Sequence, residues 1–253
     1  MSTPMLAASE LYLRPAPASF LGADDVHVWR IALAQPQRKV SRLLSILSAD
    51  ERERAARFHF PQDRDNFIVA RGALRSILAG YLGVAPAALR FQYSSYGKPS
   101  LAPEFTSQGL NFNLSHSHEL ALLGLTSGRE IGVDVERHRA DVTDEPLAER
   151  FFSAREVAVL RALPPEQQTE AFFNCWTRKE AYIKARGEGL SFPLARFDVS
   201  LAPEEPAALL RTRGEPREAA RWSMLNLSPG AGYAGAVIAE GRDWRLQCWD
   251  WPA

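Results

Sequence analysis

The chain has 253 residues, of which 46% are hydrophobic and 24% charged, and its 30 basic and 30 acidic residues give a formal net charge of zero. This composition excludes a disordered chain and disfavours a protein held to nucleic acid by broad attraction to phosphates. It offers no apolar run near the roughly 20 residues that cross a bilayer, and no N-terminal leader or disulfide framework is recognisable. We therefore expect a globular, cytoplasmic protein that binds neither membranes nor nucleic acid.

The first half of the chain predicts a strand, two helices and a loop. Alternating side chains at 26–33 predict the strand. Ser48 precedes a charged helical segment, and apolar side chains at helical spacing predict a longer helix over about 64–81. Glycine and proline punctuate residues 93–99, which predict a loop.

Three short apolar stretches follow, separated by small polar turns. They cover residues 111–115, 120–126 and 131–136. Such stretches with turn residues between them are typical of strands joined by tight turns. We expect an antiparallel meander here.

The second half predicts two helices and then several strands. Ser153 and Glu156 have the spacing of a capping box that opens a helix, and a longer helix over 166–186 ends at a glycine. Residues 201–220 carry prolines, glycine and charges and predict a surface excursion. Strands are predicted at 197–199, 222–227, 233–239 and 244–249. The two halves have a similar order of elements, which indicates an α/β fold of the α+β kind.

The strand over 131–136 places two carboxylates on one face. Gly132, Asp134 and Glu136 point the same way, because successive side chains of a strand alternate. Carboxylates roughly 7 Å apart at the backbone repel each other unless a cation lies between them, and Mg²⁺ prefers such oxygen ligands. The glycine would let a ligand approach closely. The alternative is a solvated face without function.

The longer helix carries a second charged pair. Glu180 and Lys184 lie one turn apart on the same face. They form either an ordinary surface salt pair, or a third metal-binding carboxylate and a cation for a phosphate or a proton relay.

Ser115 and His116 end a predicted strand, where a turn can present N–H groups and an imidazole to an anion. A nucleophilic Ser–His pair is disfavoured, because adjacent residues on a strand point apart. Upstream, Tyr96-Gly-Lys-Pro99 can stack a base while contacting phosphate, and Arg71 and Arg75 are spaced to clamp a dianion. Each of these features is also compatible with a plain structural or solvated role.

In this order, the segments resemble the 4′-phosphopantetheinyl transferases of the type that activates surfactin synthetase. Each motif alone is a weak signal, whereas the ordered set is specific and spans about residues 45–200. The matched segments are Tyr96-Gly-Lys-Pro, Phe112-Asn-Leu-Ser-His-Ser, Ile131-Gly-Val-Asp-Val-Glu, Phe151-Phe-Ser-x-x-Glu156 and Trp176-Thr-Arg-Lys-Glu-Ala-Tyr-Ile-Lys184.

The resemblance implies a pseudo-two-fold pair of similar subdomains, each an antiparallel sheet packed with a long helix. Their expected ranges are 1–129 and 130–253, the second carrying the metal site. It also implies an enzyme that transfers the 4′-phosphopantetheine arm of coenzyme A to a serine hydroxyl of an apo acyl or peptidyl carrier protein and releases adenosine 3′,5′-bisphosphate. Such carriers serve polyketide and nonribosomal peptide synthesis. We expect a monomer, because one chain would contain both halves of the site.

The resemblance also assigns the acidic residues and the lysine. Asp134, Glu136 and Glu180 would hold Mg²⁺, with Mn²⁺ as the alternative ion. Glu180 would deprotonate the carrier serine, and Lys184 would contact phosphate and support the leaving group.

Coenzyme A would be bound mainly by the first half. Ser115 and His116 would meet its phosphates, with His116 at the 3′-phosphate, and basic residues of the first helices would join it there. Glu51 stands at one such basic position, so Arg54 and Arg71 are favoured instead. The adenine pocket would be lined by Tyr96, Gly97, Lys98 and Pro99.

Two other functions stay open at this point. One is a different coenzyme A-dependent enzyme on the same fold. The other is a catalytically silent protein that binds carrier domains. Retention of all the acidic residues and the lysine disfavours the silent protein.

Overall fold

The structure is a computed structural model that describes residues 12–13, 21–107, 109–139, 144–189 and 192–252. Two sheets, each covered by a 22-residue helix, form an α+β fold. None of the helices in these ranges combines the length and apolar character needed to cross a bilayer.

The helices and strands run through both halves of the chain. The helices are α1 (Gln37–Ile46), α2 (Ala49–Ala56), α3 (Pro61–Leu82), α4 (Asp144–Phe151), α5 (Ala154–Ala162) and α6 (Pro165–Arg186). The strands before α4 are β1 (Tyr12–Leu13), β2 (Asp25–Ala32), β3 (Phe91–Tyr93), β4 (Pro99–Leu101), β5 (Leu110–Ser117), β6 (Leu120–Ser127) and β7 (Ile131–Arg137). Those after α6 are β8 (Phe197–Val199), β9 (Leu209–Thr212), β10 (Trp222–Leu227), β11 (Tyr233–Glu240) and β12 (Arg245–Asp250).

The predicted helix starts and stops are confirmed where capping chemistry marks them. The Glu51 side chain accepts a bond from the Ser48 N–H at 3.0 Å, which closes a capping box on α2. Ser153 and Glu156 form the same box on α5. Helix α6 ends at Gly187, whose φ of 73° lies in the left-handed region that glycine adopts without strain.

The two large sheets contain the strands in an interleaved order. The first sheet runs β1-β12-β2-β6-β5, and the second runs β10-β11-β7 with antiparallel pairing throughout. The last strand, β12, thus returns to the first sheet and pairs parallel with β2. The expected subdomain ranges 1–129 and 130–253 stay a prediction. The structure shows in addition that β12, from the second range, pairs with β2 from the first.

The predicted three-stranded meander is wrong in its third strand. Strands β5 and β6 pair antiparallel as expected, but β7 pairs with β11 in the second sheet. The reason is that β7 folds back over the first sheet to bury its apolar side chains. A Cβ at Gly124 of β6 would meet Val133 at 2.6 Å and Ile131 at 2.8 Å, so the two strands are in close face-to-face contact.

The predicted surface excursion over 201–220 is also partly wrong. It contains β9, which pairs antiparallel with β8, and the side chains of Leu201 and Leu209 are buried. Alternation is hard to see in a four-residue strand among prolines and charges, so the sequence pattern did not reveal it.

The cores lie on both sides of this double layer. Helix α3 packs with the first sheet, and α6 packs with the second. A third apolar cluster lies between the sheets and includes Val26, Leu122, Val133 and Val237. The polar ends of β5 and β7 therefore lie where the two halves meet.

Candidate active site

Strand β5 turns a polar face toward β7. Asn113, Ser115 and Ser117 alternate along β5, are each less than 9% exposed, and point to the same side. The carboxamide oxygen of Asn113 accepts the Val133 N–H at 2.9 Å, and the hydroxyl of Ser117 accepts the Arg137 N–H at 3.2 Å. We call this contact between the polar face of β5 and the free edge of β7 the seam.

Asp134 is the buried centre of the site. Its Oδ1 accepts bonds from the Ser115 hydroxyl at 2.8 Å and from the Lys184 ammonium at 2.5 Å. The same ammonium donates to Ser115 Oγ at 2.9 Å. Asp134 is 2% exposed, and its Oδ2 is buried with no hydrogen-bond partner among the described residues. A buried oxygen of this kind indicates a missing ligand, since such groups are nearly always paired in proteins.

Two further carboxylates, those of Glu136 and Glu180, lie close enough to Asp134 to be affected by its charge. Glu136 is half-buried on β7 and accepts a bond from the Ser117 hydroxyl at 2.8 Å. Burial and the charge of Asp134 raise its pKa above the usual value. Burial, and then the charge of Asp134, raise the pKa of Glu180 on α6 to about 7. Among the described residues, Lys184 is the one cation in direct contact with the group, so negative charge is in surplus there.

Gly132 has a different purpose from the one that the sequence suggested. A Cβ at this position would lie 1.9 Å from the Ala181 carbonyl oxygen and 2.7 Å from the Ala185 nitrogen. The glycine therefore lets the backbone of α6, not a ligand, approach β7. This close contact is what brings Glu180 and Lys184 beside the strand carboxylates.

The carboxylates fit a hard divalent cation in chemistry, although they are not gathered around one point. Among the described residues, no three His, Cys, Asp or Glu side chains lie close enough together to hold a metal ion as they stand. The unpartnered Asp134 oxygen and the raised pKa values of Glu136 and Glu180 are what a group of oxygen ligands shows without its cation. Metal binding by these residues requires their side chains to turn toward one another, and the metal set stays a prediction.

His116 is an exposed residue near the end of β5, between the seam residues Ser115 and Ser117. Partial burial, followed by the positive charges of Lys184 and Arg54, lowers the pKa of its imidazole. The ring is therefore neutral at pH 7, and Arg54 is close enough to act on it electrostatically. Two of the residues expected near a phosphate are thus on the same side of the molecule.

Arg71 is held in a separate cluster. Its guanidinium donates to Glu51 Oε1 at 2.8 and 2.5 Å and to the Tyr93 hydroxyl at 3.1 Å, while Arg75 donates to Glu51 Oε2 at 2.6 Å. Burial opposes the ionisation of Glu51, but the two arginines outweigh it and lower the pKa of that carboxyl. The acidic residue at the expected basic position therefore ties down Arg71, whose contact with a phosphate stays a prediction.

The loop residues expected to bind adenine lie at the other end of the seam. Lys98 and Pro99 line a cavity of about 370 Å³, together with Asn111, Glu130 and Gly187. The Lys98 ammonium donates to Glu130 at 3.2 Å and to the Ala185 carbonyl at 3.2 Å, so it joins the two halves at the end of α6.

The neighbouring residues of this loop are more open. Tyr96 is 58% exposed, and a Cβ at Gly189 would approach it within 3.3 Å. Gly97 has a φ of 79°, which the tight turn between β3 and β4 requires.

Sequence reasoning missed two sets of residues around this site. Glu156 and Lys179 belong to different motifs, yet their buried side chains meet at 2.8 Å. The roles of Asn113 and Ser117 in the seam were also missed. Their period-two spacing with Ser115 was the available signal.

Comparison with known proteins places both halves of the chain in one family. Residues 34–127 match the model of the N-terminal region of 4′-phosphopantetheinyl transferases, and residues 130–238 match the model of the 4′-phosphopantetheinyl transferase superfamily.

The 4′-phosphopantetheinyl transferase HetI of Nostoc sp. is 45% identical over 238 residues, which cover 94% of this chain and 97% of that protein. The 4′-phosphopantetheinyl transferase Sfp of Bacillus subtilis is 32% identical over 165 residues, which cover 65% of this chain and 71% of that protein. A structure of a holo-[acyl-carrier-protein] synthase of Thermotoga maritima aligns over 46% of this chain and 64% of its own at 18% identity, with a TM-score of 0.33.

Two family models and a relative aligned over nearly its whole length agree with the family that the sequence motifs resemble. The chain belongs to the 4′-phosphopantetheinyl transferase superfamily and is a transferase of that family.

Proposed function

We propose that this enzyme transfers the 4′-phosphopantetheine arm of coenzyme A to a serine hydroxyl of an apo acyl or peptidyl carrier protein, with Mg²⁺ as its cofactor. The observation that carries the proposal is the surplus of negative charge around Asp134 beside the Lys184 ammonium. A pyrophosphate and a divalent cation together would complement such a group, because the carboxylates would hold the cation and the cation would neutralise negative charge on the phosphates.

The reaction exchanges one bond to phosphorus for another. The carrier serine oxygen attacks the phosphorus next to the pantetheine arm, and the bond from that phosphorus to the oxygen of the leaving group breaks. Adenosine 3′,5′-bisphosphate leaves, and the serine proton passes to a base. Such a reaction needs positioning and neutralisation of charge more than covalent help from the protein.

Glu180 is the base in this proposal. Without the cation the Glu180 carboxyl has a pKa of about 7 and is only partly ionised at neutral pH; Mg²⁺ would ionise it, and the carboxylate would then accept the serine proton as a general base. Bound Mg²⁺, held by Asp134, Glu136 and Glu180, would neutralise charge on the pyrophosphate.

Lys184 supports the leaving group. Its ammonium lies between Asp134 and Ser115, so it is fixed beside the metal-binding residues while its side chain stays 28% exposed. A phosphate entering the site meets this cation at once. Ser115 would contact the same phosphates through its hydroxyl.

Coenzyme A would lie along the seam. His116 and Arg54 would bind the 3′-phosphate at one end, because a neutral imidazole gains a proton readily when a phosphate dianion approaches. Tyr96, Gly97, Lys98 and Pro99 would contact adenine, and the cavity beside Lys98 offers space for a ring. Arg71 would reach a phosphate only by exchanging bonds with Glu51.

Carrier proteins of polyketide and nonribosomal peptide synthesis are the proposed acceptors, and the enzyme would act on them as a cytoplasmic monomer. The seam supports the monomer, since residues of both halves of one chain meet in the site.

Intact mass spectrometry of the acceptor tests this function. The enzyme is incubated with Mg²⁺, coenzyme A and an apo carrier protein, and a parallel sample contains EDTA. We expect the carrier to gain the mass of one phosphopantetheine arm, and the gain to disappear with EDTA. A gain that persists with EDTA would contradict the role of Mg²⁺. No gain on peptidyl, acyl and aryl carriers, despite measured binding of coenzyme A, would favour the silent carrier-binding protein.

A further inference from the structure

At the seam, three side chains of β5 make contacts to β7 in place of the backbone hydrogen bonds that join paired strands. Asn113, Ser115 and Ser117 each bond to β7, and they do so in register along the two strands. Two of the three also touch a carboxylate: Ser115 contacts Asp134, and Ser117 contacts Glu136. The third, Asn113, bonds to the backbone of β7 and not to a carboxylate, so it serves as the control residue for the two serines.

The hydroxyl of Ser117 is fixed on both sides. It donates to Glu136 Oε2 at 2.8 Å and accepts the Arg137 N–H at 3.2 Å, with His118 Nδ1 at 3.4 Å. A serine hydroxyl has one hydrogen to donate, and the short contact assigns it to the carboxylate. Because the main chain of β7 holds the oxygen, the donated bond has a defined direction.

Glu136 needs such a restraint more than Asp134 does. Asp134 is 2% exposed and has two bonds on one oxygen, whereas Glu136 is half-buried on a longer side chain. Fixing a free glutamate side chain costs conformational entropy, because its rotatable bonds lose their freedom. Repulsion from Asp134 adds to this and favours turning the Glu136 carboxylate out toward water.

We propose that Ser117 is a positioning residue that keeps the Glu136 carboxylate on the Asp134 side of β7, from which it turns to bind the divalent cation. The proposal rests on the function proposed above. It assigns Oε2 of Glu136 to the serine and leaves Oε1 for the cation. Neighbours that orient a metal ligand in this way typically change metal affinity 10- to 100-fold when they are replaced.

Four variants separate positioning from simple packing. Ser117→Thr keeps the hydroxyl. Ser117→Val introduces a side chain of nearly the same size as threonine but without the hydroxyl. Ser117→Ala removes the hydroxyl without adding volume. Asn113→Ala removes a seam bond of similar length that does not touch a carboxylate. Thermal unfolding of each variant shows whether it folds, and the Thr and Val pair decides the question if the alanine variant does not.

The readout is Mn²⁺ binding to the free enzyme, measured by electron paramagnetic resonance without coenzyme A or carrier. We expect Ser117→Ala and Ser117→Val to weaken Mn²⁺ binding about 10-fold, Ser117→Thr to stay within about 3-fold of the wild type, and Asn113→Ala to lose stability with little change in Mn²⁺ binding. Equal weakening by Asn113→Ala and Ser117→Ala would overturn the proposal, because the seam would then act only as packing. Wild-type affinity in Ser117→Val would overturn it as well.

The failure of this proposal is distinguishable from failure of the function. A wild type that transfers the arm but binds no Mn²⁺ contradicts the metal assignment and the role of Ser117 together. A wild type that transfers nothing, but whose Mn²⁺ binding depends on the Ser117 hydroxyl, contradicts only the proposed reaction.

Discussion

Helix α6 carries two lysines, five residues apart, in opposite electrostatic settings. Lys179 is fully buried and donates to Glu156 at 2.8 Å and to the carbonyls of Leu194 and Phe197 at 2.8 and 2.7 Å. Lys184 is 28% exposed on another face of the helix and contacts Asp134. The first lysine has one acid and a full set of acceptors, whereas the second serves a group with more acids than cations.

The difference in charge balance distinguishes an ion pair that stabilises the fold from a group of charges that needs a ligand. A buried pair with balanced charge and satisfied donors holds the helix against its neighbours and has no need of a ligand. An unbalanced group keeps a carboxyl such as Glu180 at a pKa of about 7 and leaves Asp134 Oδ2 without a partner among the described residues. Strongly shifted groups of this kind are enriched at functional sites.

Replacing the central acid gives the largest expected effect on the functional side. Asp134→Ala removes a proposed metal ligand and the partner of Lys184, so we expect transfer to fall at least about 1000-fold, or about 4 kcal/mol of transition-state stabilisation. Initial rates of carrier modification measure this. Asp250→Ala breaks an ion pair with Arg30 that includes no seam residue and serves as a matched control. Near-normal turnover of Asp134→Ala with Mg²⁺ would contradict its assignment.

Replacing the buried lysine affects the folding side instead. Lys179→Met leaves the Glu156 carboxylate buried without its cation, and we expect the free energy of unfolding to fall by about 3–5 kcal/mol. Chemical denaturation measures the loss. The folded fraction should keep kcat within a few-fold and gain no special stability from Mg²⁺. A large drop in kcat with unchanged stability would erase the distinction between the two lysines.

Replacing the exposed Lys184 tests the comparison more strictly than replacing the buried Lys179. Lys184→Met removes the ammonium that contacts Asp134, so we expect turnover to fall about 100-fold and stability to fall as well. Mg²⁺ should restore part of that stability, because a dication replaces the lost ammonium. Thermal unfolding with and without Mg²⁺ compares this variant with Lys179→Met. The same response to Mg²⁺ in both variants would be evidence against the comparison.

We expect the Glu180 carboxylate to lower the stability of the metal-free protein at high pH and to be required for activity. Its pKa rises from 4.5 to about 7 on folding, so its contribution to stability is present at low pH and is lost as the pH rises from about 4.5 through 7. Glu180→Gln removes the disfavoured charge. We expect the metal-free variant to be more stable than the wild type by about 1–2 kcal/mol at pH 8 and no more stable near pH 4, while turnover falls by orders of magnitude. A loss of stability at pH 8, or a change confined to KM, would contradict this role.

His116 gives the smallest expected effect. We expect His116→Ala to weaken binding of coenzyme A about 10-fold and that of dephospho-coenzyme A much less, because the imidazole would contact the 3′-phosphate. Calorimetric titration with both ligands measures the difference. Equal weakening for the two ligands would remove His116 from the 3′-phosphate.

Local patterns predicted much of the fold and part of the site. Ser48 gave the start of α2, the capping box of Ser153 and Glu156 gave the start of α5, and strand alternation placed Asp134 and Glu136 on one side of β7. The one-turn spacing of Glu180 and Lys184 predicted that both lie on one face of α6. These features depend on residues within one or two turns of each other, so the sequence displays them directly.

The remaining features depend on partners distant in the chain. Strand β7 pairs with β11, about a hundred residues away, so the three apolar stretches looked like a meander. The close approach of Gly132 to Ala181 and the pairing of Glu51 with Arg71 likewise needed the tertiary structure. Ser117 was visible as part of an alternating pattern, but only β7 shows what that pattern contacts.

Proton release on metal binding tests the central claim most directly, namely that surplus negative charge marks the functional group on α6. Mg²⁺ is titrated into the wild type and into Glu180→Gln at pH 7, in buffers of different ionisation enthalpy. A carboxyl with a pKa of about 7 is about half protonated there, so we expect the wild type to release about half a proton more per Mg²⁺ than the variant. Equal proton release by both proteins, or no Mg²⁺ binding by the wild type, would contradict the account.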